Sequence, residues 1–152
     1  MNLQMEINSL KQRIAELEER VEQEKEFPQV DDDYWYVNGD AETMFSVWYG
    51  DDYDKGRLSI DNVFKTKDQA EFAAEKLRVE AELRKFSRPF EYGKSNYYLF
   101  FDIDGNSFRN DFTSYCPPQG AICFESEEKA QQAVSTVGKE RIKKYLFGVE
   151  DL

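Results

Sequence analysis

Histidine does not occur in this 152-residue chain. Its absence removes imidazole as the base of a Ser/His or Cys/His pair, as a metal ligand and as a switch near neutral pH. Cysteine occurs twice, as Cys116 and Cys123, too few for a disulfide framework or a zinc ribbon. Both are expected to be reduced, in a cytoplasm, with Cys123 packing as a small hydrophobe in an apolar run. No run of about 18 apolar residues is present, so no membrane span is expected. The first residues read as a charged amphipathic helix rather than a signal peptide. Basic residues are the minority, 20 against 31 acids, a net charge of −11. That balance disfavours nucleic-acid binding, though it is compatible with a local basic pocket.

What is present is enough for a core: 40% hydrophobic residues, 15% of the chain aromatic. At the start, Leu3, Ile7, Leu10, Ile14, Leu17 and Val21 alternate in steps of four and three. This is a heptad seam with β-branched residues at a and Leu at d, the combination that favours two parallel strands. Around it, Glu6 faces Lys11 of a partner helix and Arg13 faces Glu18, whereas Arg20 against Lys25 is repulsive. The run Arg13-Ile14-Ala15-Glu16-Leu17-Glu18 resembles a trimer signature, so a homo-oligomer is expected with dimer ahead of trimer. The narrow stripe favours a seam over a helix folded back on its own domain, which would show a wider one. Pro28 is expected to end the helix.

The rest of the chain says one thing twice. Phe64-Lys65-Thr66-Lys67-Asp68-Gln69-Ala70 and Phe124-Glu125-Ser126-Glu127-Glu128-Lys129-Ala130 each end a β-like run with Phe, place a capping hydroxyl two residues later and open an Ala-rich helix. Upstream of each lies a hairpin signal, Asn38-Gly39 and Asp104-Gly105. Third strands are expected over Arg57–Phe64 and Ala121–Phe124, a break at Gly138, and a final short helix over Arg141–Phe147. The fold expectation is therefore α+β: a parallel coiled-coil helix over 1–27, an acidic linker over 28–33, a βββα module over 34–87, a linker over 88–96, and a second βββα module with a short C-terminal helix over 97–152. The helix after Thr66 has two faces. Ala70, Ala73, Ala74, Leu77 and Ala81 form a small one suited to packing on a sheet. Phe72, Val79, Leu83 and Phe86 form a large one, a candidate interface toward the other module, the arm or a second subunit.

Three further groups invite a functional reading. Residues 28–66 hold nine acids against three bases, and Asp51, Asp52 and Asp54 make a candidate acidic loop for a protein partner, or a merely solvated one. Trp48 and Tyr49 with Arg57 and Arg109 are candidates for stacking and pairing with a nucleotide. Aromatics are also natural strand residues. The run Leu99-Phe100-Phe101-Asp102-Ile103-Asp104-Gly105-Asn106 resembles the first motif of haloacid-dehalogenase-type phosphatases. Asn106 stands where that motif has Thr, and a hairpin turn explains Asp104-Gly105 equally well. An EF-hand reading of Asp102, Asp104 and Asn106 fails because no Glu closes the loop. No metal or cofactor site is expected.

Trp48-Tyr49 through Asp54-Lys55-Gly56-Arg57, then Asn62-Val63-Phe64-Lys65-Thr66 and Ala70-Glu71-Phe72-Ala73, together with Glu140-Arg141-Ile142-Lys143-Lys144-Tyr145-Leu146-Phe147, resemble small accessory proteins of phages and prophages of Gram-positive bacteria. The resemblance covers most of residues 33–150 and carries no catalytic residue. It implies a phage protein acting in a bacterial cytoplasm. The leading expectation is a non-enzymatic oligomer that binds and blocks a host or defence protein. The alternatives are a sponge for a nucleotide immune signal at an intersubunit pocket and a structural or morphogenesis component of the virion.

Overall fold

The computed structural model describes residues 2–150; Met1, Asp151 and Leu152, which fall in the expected 1–27 and 97–152 segments, lie outside the described residues. The chain is α+β, with an N-terminal helix and two small antiparallel sheets of two strands each. Helix α1 spans Leu3–Glu24. It contains no Gly, Pro or aromatic residue and is rich in strong helix formers. Asn2 caps it by accepting a hydrogen bond from the Gln4 N–H at 2.8 Å. None of its residues is buried. The helix stops at Glu24, before Pro28, and Lys25 is already extended.

The first sheet pairs β1 (Asp33–Val37) with β2 (Thr43–Val47). Successive side chains point to opposite faces. Trp35 and Val37 pack on Ala70 and Ala74 of α3 (Lys67–Arg84). Tyr34 and Tyr36 face α2 (Asp52–Ser59), where they meet Asp54 and Arg57. A strand covered on both faces has no polar side, which accounts for the uninterrupted Tyr-Trp-Tyr-Val run. The second sheet pairs β3 (Asn96–Asp102) with β4 (Ser107–Thr113). Tyr97 and Leu99 face a core built by α4 (Glu127–Val137) through Ala130, Ala133 and Val137. Gly138, at φ 107°, breaks that helix in a conformation that side chains other than hydrogen disfavour. A short α5 (Lys139–Arg141) then widens into a π-helical turn over Ile142–Leu146.

Four expectations are corrected. Neither third strand forms. Phe64 and Phe124 each make one antiparallel bridge, to Trp35 and Tyr97 respectively. Before Phe64 the chain is helical, because Asp51 and Asp54 form a reciprocal capping box that starts α2. Asn62 then takes the strand's place with its side chain, donating to the Val37 carbonyl at 2.7 Å and accepting from the Val37 N–H at 2.8 Å. Before Phe124, Pro117-Pro118 and Gly120 prevent extension of the pairing. Both hairpin turns also differ from the two-residue form expected. The first loop runs from Asn38 to Glu42, with Ala41 at φ 60° and the Asn38 carboxamide accepting from the N–H groups of Asp40 and Glu42. In the second, Asn106 rather than Gly105 takes the left-handed conformation, at φ 46°.

Helix α3 ties the two repeats together. Its first half lies on the first sheet. Its second half supplies Val79 and Leu83, both buried, to the core of Phe124, Ala130, Ala133, Val137 and Ile142. The large face thus meets the other module. Leu77 and Ala81, expected on the sheet-packing side, are exposed because the helix has by then passed beyond the first sheet.

Candidate interaction surfaces

The six seam residues are all exposed, from 45% at Ile7 to 76% at Leu3. They lie along one unpartnered helix that buries nothing. Arg20 approaches Glu24 at 3.9 Å and Lys25 pairs with Glu22 at 2.5 Å, so the two cations expected to repel across a parallel pair have carboxylates on their own chain.

The acidic loop divides. Asp51 and Asp52 are exposed, but Asp54 is 2% exposed and belongs to the interior, which corrects its assignment as a partner-binding residue. Its carboxylate accepts from the Tyr34 hydroxyl at 2.5 Å and from the N–H groups of Tyr49 at 2.8 Å and Gly50 at 3.0 Å. Burial opposes the charged form. The Tyr34 hydroxyl and the N–H groups of Tyr49, Asp51 and Gly50 together outweigh it and hold the carboxyl below the usual aspartate range. Burial, with Asp54 beside it, pushes the Tyr34 hydroxyl up. Arg57 donates to that hydroxyl at 2.7 Å and lies 3.7 Å over the Tyr36 ring. This cluster pins α2 to the sheet.

The four candidate nucleotide-binding residues do not form one site. Trp48 is buried against Tyr34, and Arg57 is committed to the interior cluster. Tyr49 is exposed, while Arg109 lies in the other sheet, 3.4 Å from Asp102. Asp102, the would-be phosphatase nucleophile, also accepts from the Gly105 N–H at 3.2 Å, as a turn residue does. Of the candidate interface on α3, Val79 and Leu83 are buried within the chain and Phe86 packs against the same core. Of the three partners open to that face, these residues meet the other module of the same chain. Phe72 stays 36% exposed beside Tyr145, with ring centroids 5.0 Å apart.

That aromatic pair lies at a groove which the sequence reading did not find. A cavity of about 820 Å³ opens between the first hairpin loop, α3 and the C-terminal segment. Its lining includes Glu42, Asp68, Glu71, Phe72, Glu75, Arg78, Lys144, Tyr145 and Glu150. Arg141, outside that lining, donates to Glu75 at 2.7 Å and to Glu82 at 2.5 Å. The Arg141 guanidinium, helped by Arg78, holds the Glu75 carboxyl below its usual range. A second cavity of about 370 Å³ lies between α3 and the second sheet, its apolar lining including Leu83, Leu99, Ile122, Phe124, Leu146 and Phe147.

Among the described residues, no helix is long and apolar enough to cross a membrane. No protein-family model matches the chain, and neither a curated protein nor a solved structure is similar to it.

Proposed function

We propose that this chain is a non-enzymatic, self-associating protein of phage type that binds and blocks a host or defence protein. One observation carries the self-association: a 22-residue helix holds six heptad-spaced apolar side chains, and none is buried. Most helical stability in proteins comes from packing an apolar face, and a solvated stripe of Leu, Ile and Val gains by pairing with its own copy. Charge favours a parallel, in-register dimer. Glu6–Lys11 and Arg13–Glu18 attract across such a pair, while Lys25 lies outside the helix and is held by Glu22. An antiparallel pair would set Arg13 against Arg13 and Lys11 against Lys11. The two-lobed head, with net negative charge and an open groove, supports the binding role, and the phage context rests on the sequence resemblance. The sponge reading is left with fewer candidates, since Trp48 is buried and Arg57 is held in the interior cluster.

Light scattering tests the first half: the wild type should have twice the chain mass, and Ile14→Asp the mass of one chain. A monomeric wild type overturns the self-association, and three times the chain mass replaces the dimer by a trimer. Affinity capture from host lysate tests the second half; no near-stoichiometric partner would overturn the blocking role.

A further inference from the structure

The groove beside α3 shows what kind of partner segment it suits. At it lie the rings of Phe72 and Tyr145, inclined at 52° with centroids 5.0 Å apart. Phe72 also borders a shallower apolar depression with Phe64 and Gln69, so the apolar surface continues past the groove. Of the groove's two cations among the described residues, Arg78 is paired with a carboxylate and Lys144 is not. Arg78 donates to Glu75 at 3.3 Å and to the Ala41 carbonyl at 2.8 Å, and Lys144 lies 5.2 Å from the Tyr145 ring. Glu75 is matched by Arg141, and Glu71 by Lys67 at 3.7 Å. Glu42, Asp68 and Glu150 line the same groove with no cation within ion-pair distance among the described residues. A partly exposed ring pair flanked by three carboxylates without ion pairs is complementary to a long cationic side chain, whose stem packs on the rings while its head meets the acids.

We propose that this groove takes a basic, aliphatic segment of a partner protein, with a Lys or Arg side chain over Phe72 and Tyr145 and its charge toward Glu42, Asp68 and Glu150. The inference rests on the reading that the chain acts by binding a protein, and names the chemistry of that partner. Charge alone would attract any basic molecule to a protein of net charge −11, so the ring pair and the position of the acids must be tested separately.

The probes are three fluorescein-labelled peptides of ten residues with the full-length chain: alternating Lys-Leu, alternating Lys-Ser and alternating Glu-Leu. Anisotropy titration should show binding of Lys-Leu at least tenfold tighter than Lys-Ser, and none of Glu-Leu. The variants are Phe72→Ser, the pair Glu42→Gln/Glu150→Gln, and a control pair on the arm, Glu16→Gln/Glu19→Gln, which removes the same charge elsewhere. Both groove variants should weaken Lys-Leu binding about tenfold, and the control less than twofold. Equal weakening by the groove and arm pairs, or equal affinity for Lys-Leu and Lys-Ser, overturns the inference. Circular dichroism confirms that Phe72→Ser is folded; if it is not, the glutamine pair decides alone. If a partner captured by the wild type is captured equally by the groove variants, the groove is overturned while the binding role stands. If the wild type captures none, the binding role itself has failed.

Discussion

Replacing Asp54 with Ala should cost the fold about 3–5 kcal/mol. The carboxylate serves one hydroxyl and at least two backbone N–H groups, and it is itself 2% exposed. A buried donor left without an acceptor costs roughly 1–3 kcal/mol. Three donors would therefore suggest about 6, but two of them are backbone groups in a half-buried loop that water can reach, so the lower range is the sounder figure. Against a domain stability of about 5–15 kcal/mol this is a large fraction. Urea unfolding followed by tryptophan fluorescence is the assay, since Trp48 packs 6.0 Å from Tyr34. With a slope of about 2 kcal/mol per molar, the midpoint should fall by roughly 1.5–2.5 M. Tyr34→Phe in the same background should show coupling above about 1 kcal/mol, because both changes remove one bond. The pH dependence has a fixed sign. A carboxyl held below its unfolded value stabilises the fold above the unfolded aspartate pKa of about 4, and that contribution is lost as pH falls through the folded value. The gap between wild type and Asp54→Asn should be flat from about pH 5 to 8 and narrow below about 4. A cost under about 1 kcal/mol for Asp54→Ala, or additivity with Tyr34→Phe, would refute the account.

Leu83→Ala should destabilise the head by about 2–5 kcal/mol, read by the same unfolding assay, because the side chain is 1% exposed in the core shared by both repeats. Arg141→Met should cost only about 1 kcal/mol, and less at high salt. Its two carboxylate partners are partly solvated, so measuring stability at 0.1 and 1 M salt checks the claim. Ile14→Asp should leave the unfolding free energy of the head within about 0.5 kcal/mol of wild type when compared as monomers, since α1 buries none of its own residues. A larger shift would mean that the arm supports the head.

The repeat was legible because local chemistry writes it. Thr66 and Ser126 cap their helices through Gln69 and Lys129, and Ala70 and Ala130 are buried at the same place in each copy. Helix α1 was equally plain from its period. The missing third strands were not, because Asn62 substitutes a carboxamide for a backbone partner, and Ile60-Asp61-Asn62-Val63-Phe64 looks like a strand to any periodicity argument. Helix α2 was hidden by Gly56 and by a capping box made of two aspartates, where Ser or Thr with Glu is the familiar signal. The spacing Asp51-x-x-Asp54 was the available clue. The groove had no local signature, since Glu42, Phe72, Tyr145 and Glu150 meet only through tertiary packing. Sequence placed Val79 and Leu83 on one face correctly but could not say what lay opposite.

The two copies diverge after the second strand of each hairpin, and that divergence separates what each part of the molecule can do. After β2 the first copy inserts α2, which closes the outer face of its sheet with Asp54 and Arg57. After β4 the second copy has only a loop, so Phe100 on the outer face remains 39% exposed, across from Arg109. Because α3 is built into both cores, the head cannot be divided at the repeat boundary without exposing Val79 and Leu83. Helix α1, by contrast, buries none of its own residues. The proposed self-association and the proposed recognition thus fall to different parts of the chain. In the proposed parallel dimer, two grooves would be tethered at the same end of one short coil. A second groove held at millimolar effective concentration raises apparent affinity for a repeated target by about 10²–10⁴ without a new contact, and leaves affinity for a single-site target unchanged. Ile14→Asp should then weaken only the binding that needs two grooves, a split that neither loss of folding nor loss of the groove would produce.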